Sequence, residues 1–200
     1  MTASVHILGI SGSLRRASHN SGLLRAASKV LPEGVTLETF DLSALPMFNA
    51  DDLATGEPDS VRKLKSRIGS ADALLVATPE YNYSIPGVLK NAIDWVSRPP
   101  KQSPLNGKPL AMMGAGGMMG TVRAQQHLRQ ILLHNDLLLL NKPELYVARS
   151  WEKFDMEGNL TDEATLQAVR TLVTSLAAWT RRLRGERSEA QLPHPAVASN

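Results

Sequence analysis

The segment from residue 9 to residue 21, GISGSLRRASHNS, concentrates groups that bind oxyanions. It contains short hydroxyl side chains, the guanidinium groups of Arg15 and Arg16, and the amide of Asn20. Hydroxyls, backbone N–H groups and the positive end of a helix dipole together favour a phosphate group. The segment lacks both the Gly-Lys-Ser/Thr ending of a P-loop and the glycine spacing of a dinucleotide fingerprint. It predicts a phosphate site of another kind, with a polar turn that caps a helix as the alternative.

A second segment, residues 79–87 with the sequence PEYNYSIPG, is stiff and partly aromatic. Two prolines restrict its backbone, while Tyr81, Asn82 and Tyr83 offer flat surface and amide groups. A rigid rim with exposed backbone groups suits a planar heterocycle that is held in one orientation. Packing of the loop or of a subunit contact explains Tyr83 equally well.

A third segment, residues 114–121 with the sequence GAGGMMGT, brings bare backbone close to a neighbour. It nearly matches G-x-G-x-x-G, but Met119 stands where the last glycine belongs and Gly120 comes one residue late. The near-match alone is a weak indication of a dinucleotide site. Met118 and Met119 fit either the lining of an acceptor pocket or irregular gaps in a core.

These segments follow strand-like runs that alternate with helical patterns. Strands are predicted at 5–10, 35–41, 73–78, 110–113 and 137–140. The last helix is predicted from about residue 161 to 184, with Thr161 as its N-cap. Such alternation is typical of a parallel sheet covered by helices on both faces. Since ligands of open α/β sheets bind beyond the carboxyl ends of the strands, we expect the three segments at one edge.

Composition excludes several classes of protein. The chain has 200 residues and no cysteine, so it forms neither disulfides nor thiolate metal sites. We predict one domain at 1–184 and a mobile tail at 185–200.

No apolar run approaches the roughly 18 residues of a membrane span, and no signal-peptide pattern is present, so we expect a cytoplasmic protein without a membrane partner. Nucleic-acid binding would need a basic stripe interleaved with exposed aromatics, and the chain has few aromatics. No metal site is expected, because His127 and His134 lack acidic or cysteine neighbours.

Three motifs together resemble the NAD(P)H-dependent FMN reductases, a family that includes quinone, chromate and azo-dye reductases. The first motif is GSLRxxSxN from residue 12, and the second is PEYNxSxPGxLKNAIDW from residue 79. The third is the glycine segment at 114–120. The resemblance covers about residues 5–180 in matching order, and the second motif is highly specific.

The resemblance implies a flavodoxin-like, doubly wound fold with five parallel strands in the order 2-1-3-4-5. It also implies FMN as the bound cofactor and NADPH or NADH as the co-substrate. The expected contacts of FMN are Ser11, Ser13, Leu14, Arg15, Ser18, His19, Asn20, Pro79, Glu80, Tyr81, Asn82, Gly114, Ala115, Gly116 and Gly117. Many relatives carry serine or threonine in the third segment, so at Ala115 and the glycines any hydrogen bond to the flavin must come from the backbone.

A bound flavin carries the electron chemistry itself, so no catalytic side chain is expected. The resemblance implies that a nicotinamide passes hydride to FMN, which then gives two electrons to a quinone or a similar acceptor such as chromate, an azo dye or free flavin. The backbone of Glu80, Tyr81 and Asn82 is expected near the reactive flavin nitrogen. For Glu80 we expect the backbone, and not the carboxylate, to contribute.

The main alternative is a flavodoxin-like electron carrier that does not oxidise NAD(P)H directly. Such carriers are typically acidic and aromatic around the flavin, whereas this chain carries a charge of +3 and 4% aromatic residues, which favours a reductase. A regulatory α/β domain without flavin has less support. The resemblance also implies a homodimer or homotetramer, with Trp95 as a candidate contact and Arg123 with Glu144 as a candidate pair across the interface. The physiological acceptor and the preference between NADPH and NADH stay open.

Overall fold

The structure is a computed structural model that describes residues 3–185. Except for Gly185, the predicted tail lies outside the described residues. Within residues 3–185 the strands are β1 (Val5–Ser11), β2 (Val35–Phe40), β3 (Ala73–Ala77), β4 (Pro109–Ala115), β5 (Leu138–Leu139) and β6 (Leu145–Val147). The α-helices are α1 (His19–Lys29), α2 (Ala50–Thr55), α3 (Asp59–Ser70), α4 (Gly87–Val96), α5 (Val122–Leu132) and α6 (Glu163–Leu183).

The strands form one parallel sheet in the order β2-β1-β3-β4-β5, which confirms the predicted order. β6 also pairs with β4, with Leu145 opposite Met113 and Val147 opposite Ala115. β5 pairs with β4 over only two residues further back along the strand. The fifth strand, predicted at 137–140, is therefore shorter than expected: the chain leaves β4 after β5 and pairs with it again as β6. A sixth strand of three residues was not predicted, because so short a run shows no period.

The core consists of two apolar layers, one on each face of the sheet. Alternate residues of one strand serve opposite layers, as Ile7 and Leu8 do in β1. α1 and α6 cover the layer that contains Ile7, and α3, α4 and α5 cover the layer that contains Leu8. All five residues of β3 are buried, as the continuous apolar run predicted. The two layers fix the strands, so the loops at their carboxyl ends have a rigid base.

Two predictions about helices are wrong. Thr161 is not the N-cap of α6, because the carboxylate of Asp162 accepts the N–H of Thr165 at 2.8 Å and the helix begins one residue later. These hydrogen bonds also hold the pKa of Asp162 below its usual value. Trp95 is not a subunit contact, because it is fully buried and its indole N–H donates to the carbonyl of Pro46 at 2.9 Å.

The helices offer no membrane segment among the residues that the structure describes. None of them combines the length with the apolar character needed to cross a bilayer. The longest, α6, has 21 residues and carries charged side chains along its length.

Candidate functional site

The loops after β1, β3 and β4 meet at the carboxyl edge of the sheet, as predicted. The N–H of Gly12 donates to the carbonyl of Ala77 at 2.8 Å, and the N–H of Thr78 donates to the carbonyl of Met113 at 3.0 Å. A side chain at position 12 would meet Pro86 at 3.1 Å and Pro79 at 3.2 Å. Glycine at this position therefore lets the first loop pack directly against the second.

The loop after β1, residues 11–18, is held mainly by its own hydroxyl groups. The hydroxyl of Ser21 donates to that of Ser11 at 3.0 Å, and the N–H of Ser13 donates to Ser11 Oγ at 3.2 Å. Ser18 is the N-cap of α1 and accepts the N–H of Ser21, so the alternative of a capping turn is correct for this residue. A cap satisfies only part of the helix end. Within residues 3–185, the N–H groups of His19 and Asn20 meet no acceptor, and the side chain of Arg15 is exposed without a hydrogen bond.

His19 and Asn20 connect this loop to its neighbours. The buried amide of Asn20 accepts the N–H of Ala115 and donates to the carbonyl of the same residue, both at 3.0 Å. The ring of His19 stacks on Phe154 at 4.5 Å, with Nδ1 3.0 Å from the hydroxyl of Ser150. Burial and the nearby Arg15 guanidinium lower the pKa of His19, although Asp155 acts in the opposite direction. Both residues thus tie the first loop to β4 and to the segment after β6.

The loop after β3 is a tight turn. Tyr81 and Ser84 exchange both backbone hydrogen bonds at 3.0 Å. Asn82 and Tyr83 between them have φ values of 49° and 67°, a left-handed conformation that is uncommon for a bulky residue and strained for Tyr83. The N–H of Tyr81 donates to the carbonyl of Ser84, whereas the N–H groups of Glu80 and Asn82 find no acceptor within residues 3–185. Of the three predicted backbone contacts, these two have a donor to offer.

The carboxylate of Glu80 fixes this turn to the start of α5. One oxygen accepts the N–H groups of Arg123 at 3.0 Å and Ala124 at 3.1 Å, and the other accepts Nε of Arg123 at 2.6 Å. The side chain of Glu80 is only 8% exposed, and the Arg123 guanidinium lies 4.0 Å above the ring of Tyr83. The carboxylate therefore acts as the missing cap of a helix whose own N-cap, Thr121, forms no capping hydrogen bond.

Sequence reasoning missed this role of Glu80, although α5 gave a signal. Its first turn contains no acidic residue, so its N–H groups needed an acceptor from elsewhere. The pairing of Arg123 with Glu144 across an interface was inferred from the lack of a local role. Both residues have one, since Glu144 pairs with Lys142 at 2.8 Å and Arg123 with Glu80. That basis for the interface pair is therefore wrong.

The glycines of the loop after β4 serve different purposes. A side chain at Gly114 would lie 2.1 Å from Thr121 Oγ1 and 2.3 Å from the carbonyl of Thr78, so this glycine is required by packing. Gly116 is equally crowded, at 2.4 Å from the carbonyl of Gly120. A side chain at Gly117 would meet nothing within 4 Å, so this glycine borders open space. Met118 and Met119 are 68% and 60% exposed, so they do not fill a core gap.

The two histidines considered as metal ligands are His127 in α5 and His134 in the turn that follows α5. His127 contacts the hydroxyl of Ser84 through Nδ1 at 3.1 Å. Among the residues that the structure describes, no three His, Cys, Asp or Glu side chains are grouped as metal ligands.

A family model described as NADPH-dependent FMN reductase matches residues 5–152. The chain belongs to this family. It is 48% identical to the NAD(P)H-dependent FMN reductase PA1204 of Pseudomonas aeruginosa, covering 92% of this chain and 100% of the relative. It is 40% identical to the 2-hydroxy-1,4-benzoquinone reductase of Burkholderia sp, covering 89% and 97%. Among solved structures, FerB, a flavoenzyme NAD(P)H:(acceptor) oxidoreductase from Paracoccus denitrificans, matches with a TM-score of 0.79 and 35% identity, over 89% of this chain and 98% of FerB.

Membership confirms the predicted fold, the oxidoreductase class, FMN as the cofactor and NAD(P)H as the co-substrate. The donor set of the first loop fits a phosphate-bearing cofactor, because it combines hydroxyls, unpaired helix N–H groups and the exposed guanidinium of Arg15. The individual contact residues remain predictions.

Proposed function

We propose that the chain holds FMN across this edge and uses it to oxidise NAD(P)H and reduce a quinone or a similar small acceptor, such as chromate, an azo dye or free flavin. The observation that carries the proposal is the convergence of two loops: one whose donors lack partners among residues 3–185, and a rigid turn fixed by Glu80. The names of the relatives, which include FMN and benzoquinone reductases, support the same activity.

The first loop supplies the phosphate contacts. Ser11, Ser13 and Ser18 offer hydroxyls, and Arg15 offers a charged donor, as do the N–H groups at the start of α1. A hydrogen bond to a charged group is worth about 1.5–3 kcal/mol, so Arg15 contributes the largest single contact. The hydroxyl oxygen of Ser18 also accepts the N–H of Ser21 as the helix cap, while its O–H remains able to donate to the phosphate.

The second and third loops orient the ring system. The N–H groups of Glu80 and Asn82 offer donors on a backbone that the Tyr81–Ser84 turn and the Glu80 carboxylate keep in place. In the loop after β4, Gly117 borders open space and leaves room for close approach of a flat group. Once bound, FMN would supply the two-electron redox chemistry between NAD(P)H and the acceptor.

One open face serves both substrates in this scheme. Tyr81, Met118 and Met119 expose apolar surface beside the two loops, which suits a nicotinamide or a quinone ring. The oxidised nicotinamide must therefore leave before the acceptor binds. Initial rates measured over a grid of NADPH and 1,4-benzoquinone concentrations should give parallel double-reciprocal lines. Intersecting lines would contradict the shared face, and NADPH oxidation that needs a partner protein would favour an electron carrier.

Self-association is the second part of the proposal. Four large side chains are exposed at one edge of the sheet: Tyr81, Tyr83, Met118 and Met119. Trp151 is also 57% exposed, and it follows Ser150, whose N–H donates to the carbonyl of Gly116. Grouped exposed apolar side chains are typical of interaction surfaces. We infer a homodimer or homotetramer, located in the cytoplasm. Light scattering at micromolar concentration should give a multiple of the chain mass, and a monomeric mass would refute this part.

A further inference from the structure

A cleft with a volume of about 390 Å³ lies beside the first loop, between α1 and the carboxyl end of β2. In the sheet order, β2 lies on the opposite side of β1 from β3, so the cleft extends away from the turn at 79–84. Ser13, Leu14 and Arg15 form one wall, and Phe40 and Asp41 contribute to the other. The cleft thus begins where the predicted phosphate contacts end, and the proposed FMN site does not use its far part.

Asp41 is fixed at the far wall with its charge intact. Its two carboxylate oxygens accept the N–H of Ser43 at 2.9 Å and the hydroxyl of Ser43 at 2.6 Å. These hydrogen bonds lower the pKa of Asp41, although partial burial acts in the opposite direction. Each oxygen keeps acceptor capacity, because a carboxylate accepts about four hydrogen bonds. An ionised, exposed carboxylate at the end of the strand next to β1 has the chemistry that binds a ribose diol in dinucleotide folds.

The remaining walls complete a nucleotide-binding set. Leu14 is 56% exposed, so it offers apolar surface to a flat base. The side chain of Phe40 packs against the apolar layer on the face of the sheet opposite α1. Arg15 and the hydroxyls of Ser11 and Ser13 face the same cleft and carry the phosphate chemistry. The cleft volume of about 390 Å³ lies in the range of small-ligand pockets.

We propose that this cleft binds an adenosine 5′-phosphate group, with Arg15 at the phosphate, Asp41 at the ribose hydroxyls, and Leu14 beside the adenine. The inference rests on the proposed function, since Ser11, Ser13, Leu14 and Arg15 border both sites and one arginine would lie between two phosphates. The group has two possible sources: the adenylate half of NADH, whose ribose keeps both hydroxyls, or that of FAD bound in place of FMN.

The decisive probe is 5′-AMP added to protein already loaded with FMN, so that the first loop is occupied. Amide chemical shifts should move at residues 39–42 and at Leu14. Asp41→Asn should weaken AMP binding about tenfold or more, because it removes a charged acceptor. The matched control is Asp51→Asn, an exposed aspartate in the first turn of α2, which should bind AMP as the wild type does.

Leu14→Ala provides a second variant that does not depend on the fold of the Asp41 turn, because Leu14 is already exposed. It should weaken AMP binding severalfold without changing the melting temperature. Shifts confined to residues 79–87 and 114–120, or equal affinities of Asp41→Asn and Asp51→Asn, would overturn the proposal.

The source is decided by two further titrations with Asp41→Asn. If NADH supplies the adenylate, NAD⁺ binding to the FMN-loaded variant falls about tenfold while FMN binding stays unchanged. If FAD supplies it, binding of FAD to the apoprotein falls while that of FMN does not. If neither falls, the proposal is refuted. Failure of the apoprotein to bind FMN at all would instead refute the proposed function, and AMP-induced shifts at 39–42 would still report on the cleft.

Discussion

The loops after β1 and β3 reach the same edge of the sheet but are held in opposite ways. The turn at 79–84 is fixed from outside, by a nearly buried carboxylate that spans 43 residues of sequence to the start of α5. The loop at 11–18 is held mostly by its own hydroxyls and leaves Arg15 and two helix N–H groups without partners within residues 3–185. The first has its charged side chain fully engaged, whereas the second keeps its charged side chain available.

The two loops therefore have different roles: the turn at 79–84 orients a bound ligand, and the loop at 11–18 provides affinity for it. A flat ring is oriented best by backbone that does not move, and Glu80 provides that by tying the turn to a helix. A phosphate is bound best by charged and hydroxyl donors that have no other partner. We therefore expect changes near Glu80 or Gly114 to affect stability, and changes at Arg15 to affect cofactor affinity alone.

The rigid region should respond most strongly to Gly114→Ala. The new methyl group would lie 2.1 Å from Thr121 Oγ1 and 2.3 Å from the carbonyl of Thr78, and the backbone atom cannot move aside easily. The free energy of unfolding, measured by denaturant titration, should fall by about 3 kcal/mol. Gly117→Ala is the matched control, since nothing lies within 4 Å, and it should change stability by less than about 0.5 kcal/mol. Similar losses in both variants would mean that the loop is not packed as described.

Glu80→Gln tests the connection between the turn and α5. The amide keeps the shape of the side chain but loses the charge that accepts two N–H groups and the Arg123 guanidinium. We expect unfolding to become easier by about 2 kcal/mol, the scale of a hydrogen bond to a charged group. Glu152→Gln removes an exposed ion pair with Arg149 and should cost at most about 0.5 kcal/mol. Equal losses would show that the hydrogen bonds of Glu80 to α5 stabilise the fold no more than an exposed ion pair does.

Arg15→Ala tests the other region. FMN should dissociate about 10-fold to 100-fold more readily, while thermal unfolding of the apoprotein stays unchanged, because the exposed Arg15 side chain has no hydrogen bond within residues 3–185 to lose. Fluorescence titration of FMN provides the affinity, and Arg16→Ala serves as the control with a change of less than about threefold. Unchanged FMN affinity in Arg15→Ala would move the phosphate site to other residues.

The smallest expected effect concerns His19 and pH. Burial and Arg15 lower its pKa in the folded chain below 6.5, so the unfolded chain takes up a proton first as the pH falls. Stability should therefore begin to decline near pH 6.5 and level off below the folded pKa. His19→Gln should lose less stability over that interval in denaturant titrations at several pH values. An identical pH profile for both proteins would rule out a contribution from His19.

The sequence predicted the repeated local patterns and missed the contacts between distant segments. Buried runs such as β3 are visible because five consecutive apolar residues favour a strand that is covered on both faces. β6 was not predicted because a run of three residues shows no period. The prediction for Trp95 was wrong because no local pattern shows that its indole N–H donates to the carbonyl of Pro46. The motifs predicted which three loops form the site. Neither the Glu80 cap nor the cleft at Asp41 has a local sequence pattern, because each depends on how separate elements pack.

The most direct test is the visible spectrum of the purified protein reconstituted with FMN, recorded before and after anaerobic addition of NADPH. The account predicts a bound-flavin spectrum that bleaches rapidly without any partner protein. Bound flavin that stays oxidised with both NADPH and NADH would contradict the reductase activity, and failure to bind FMN would contradict the site itself.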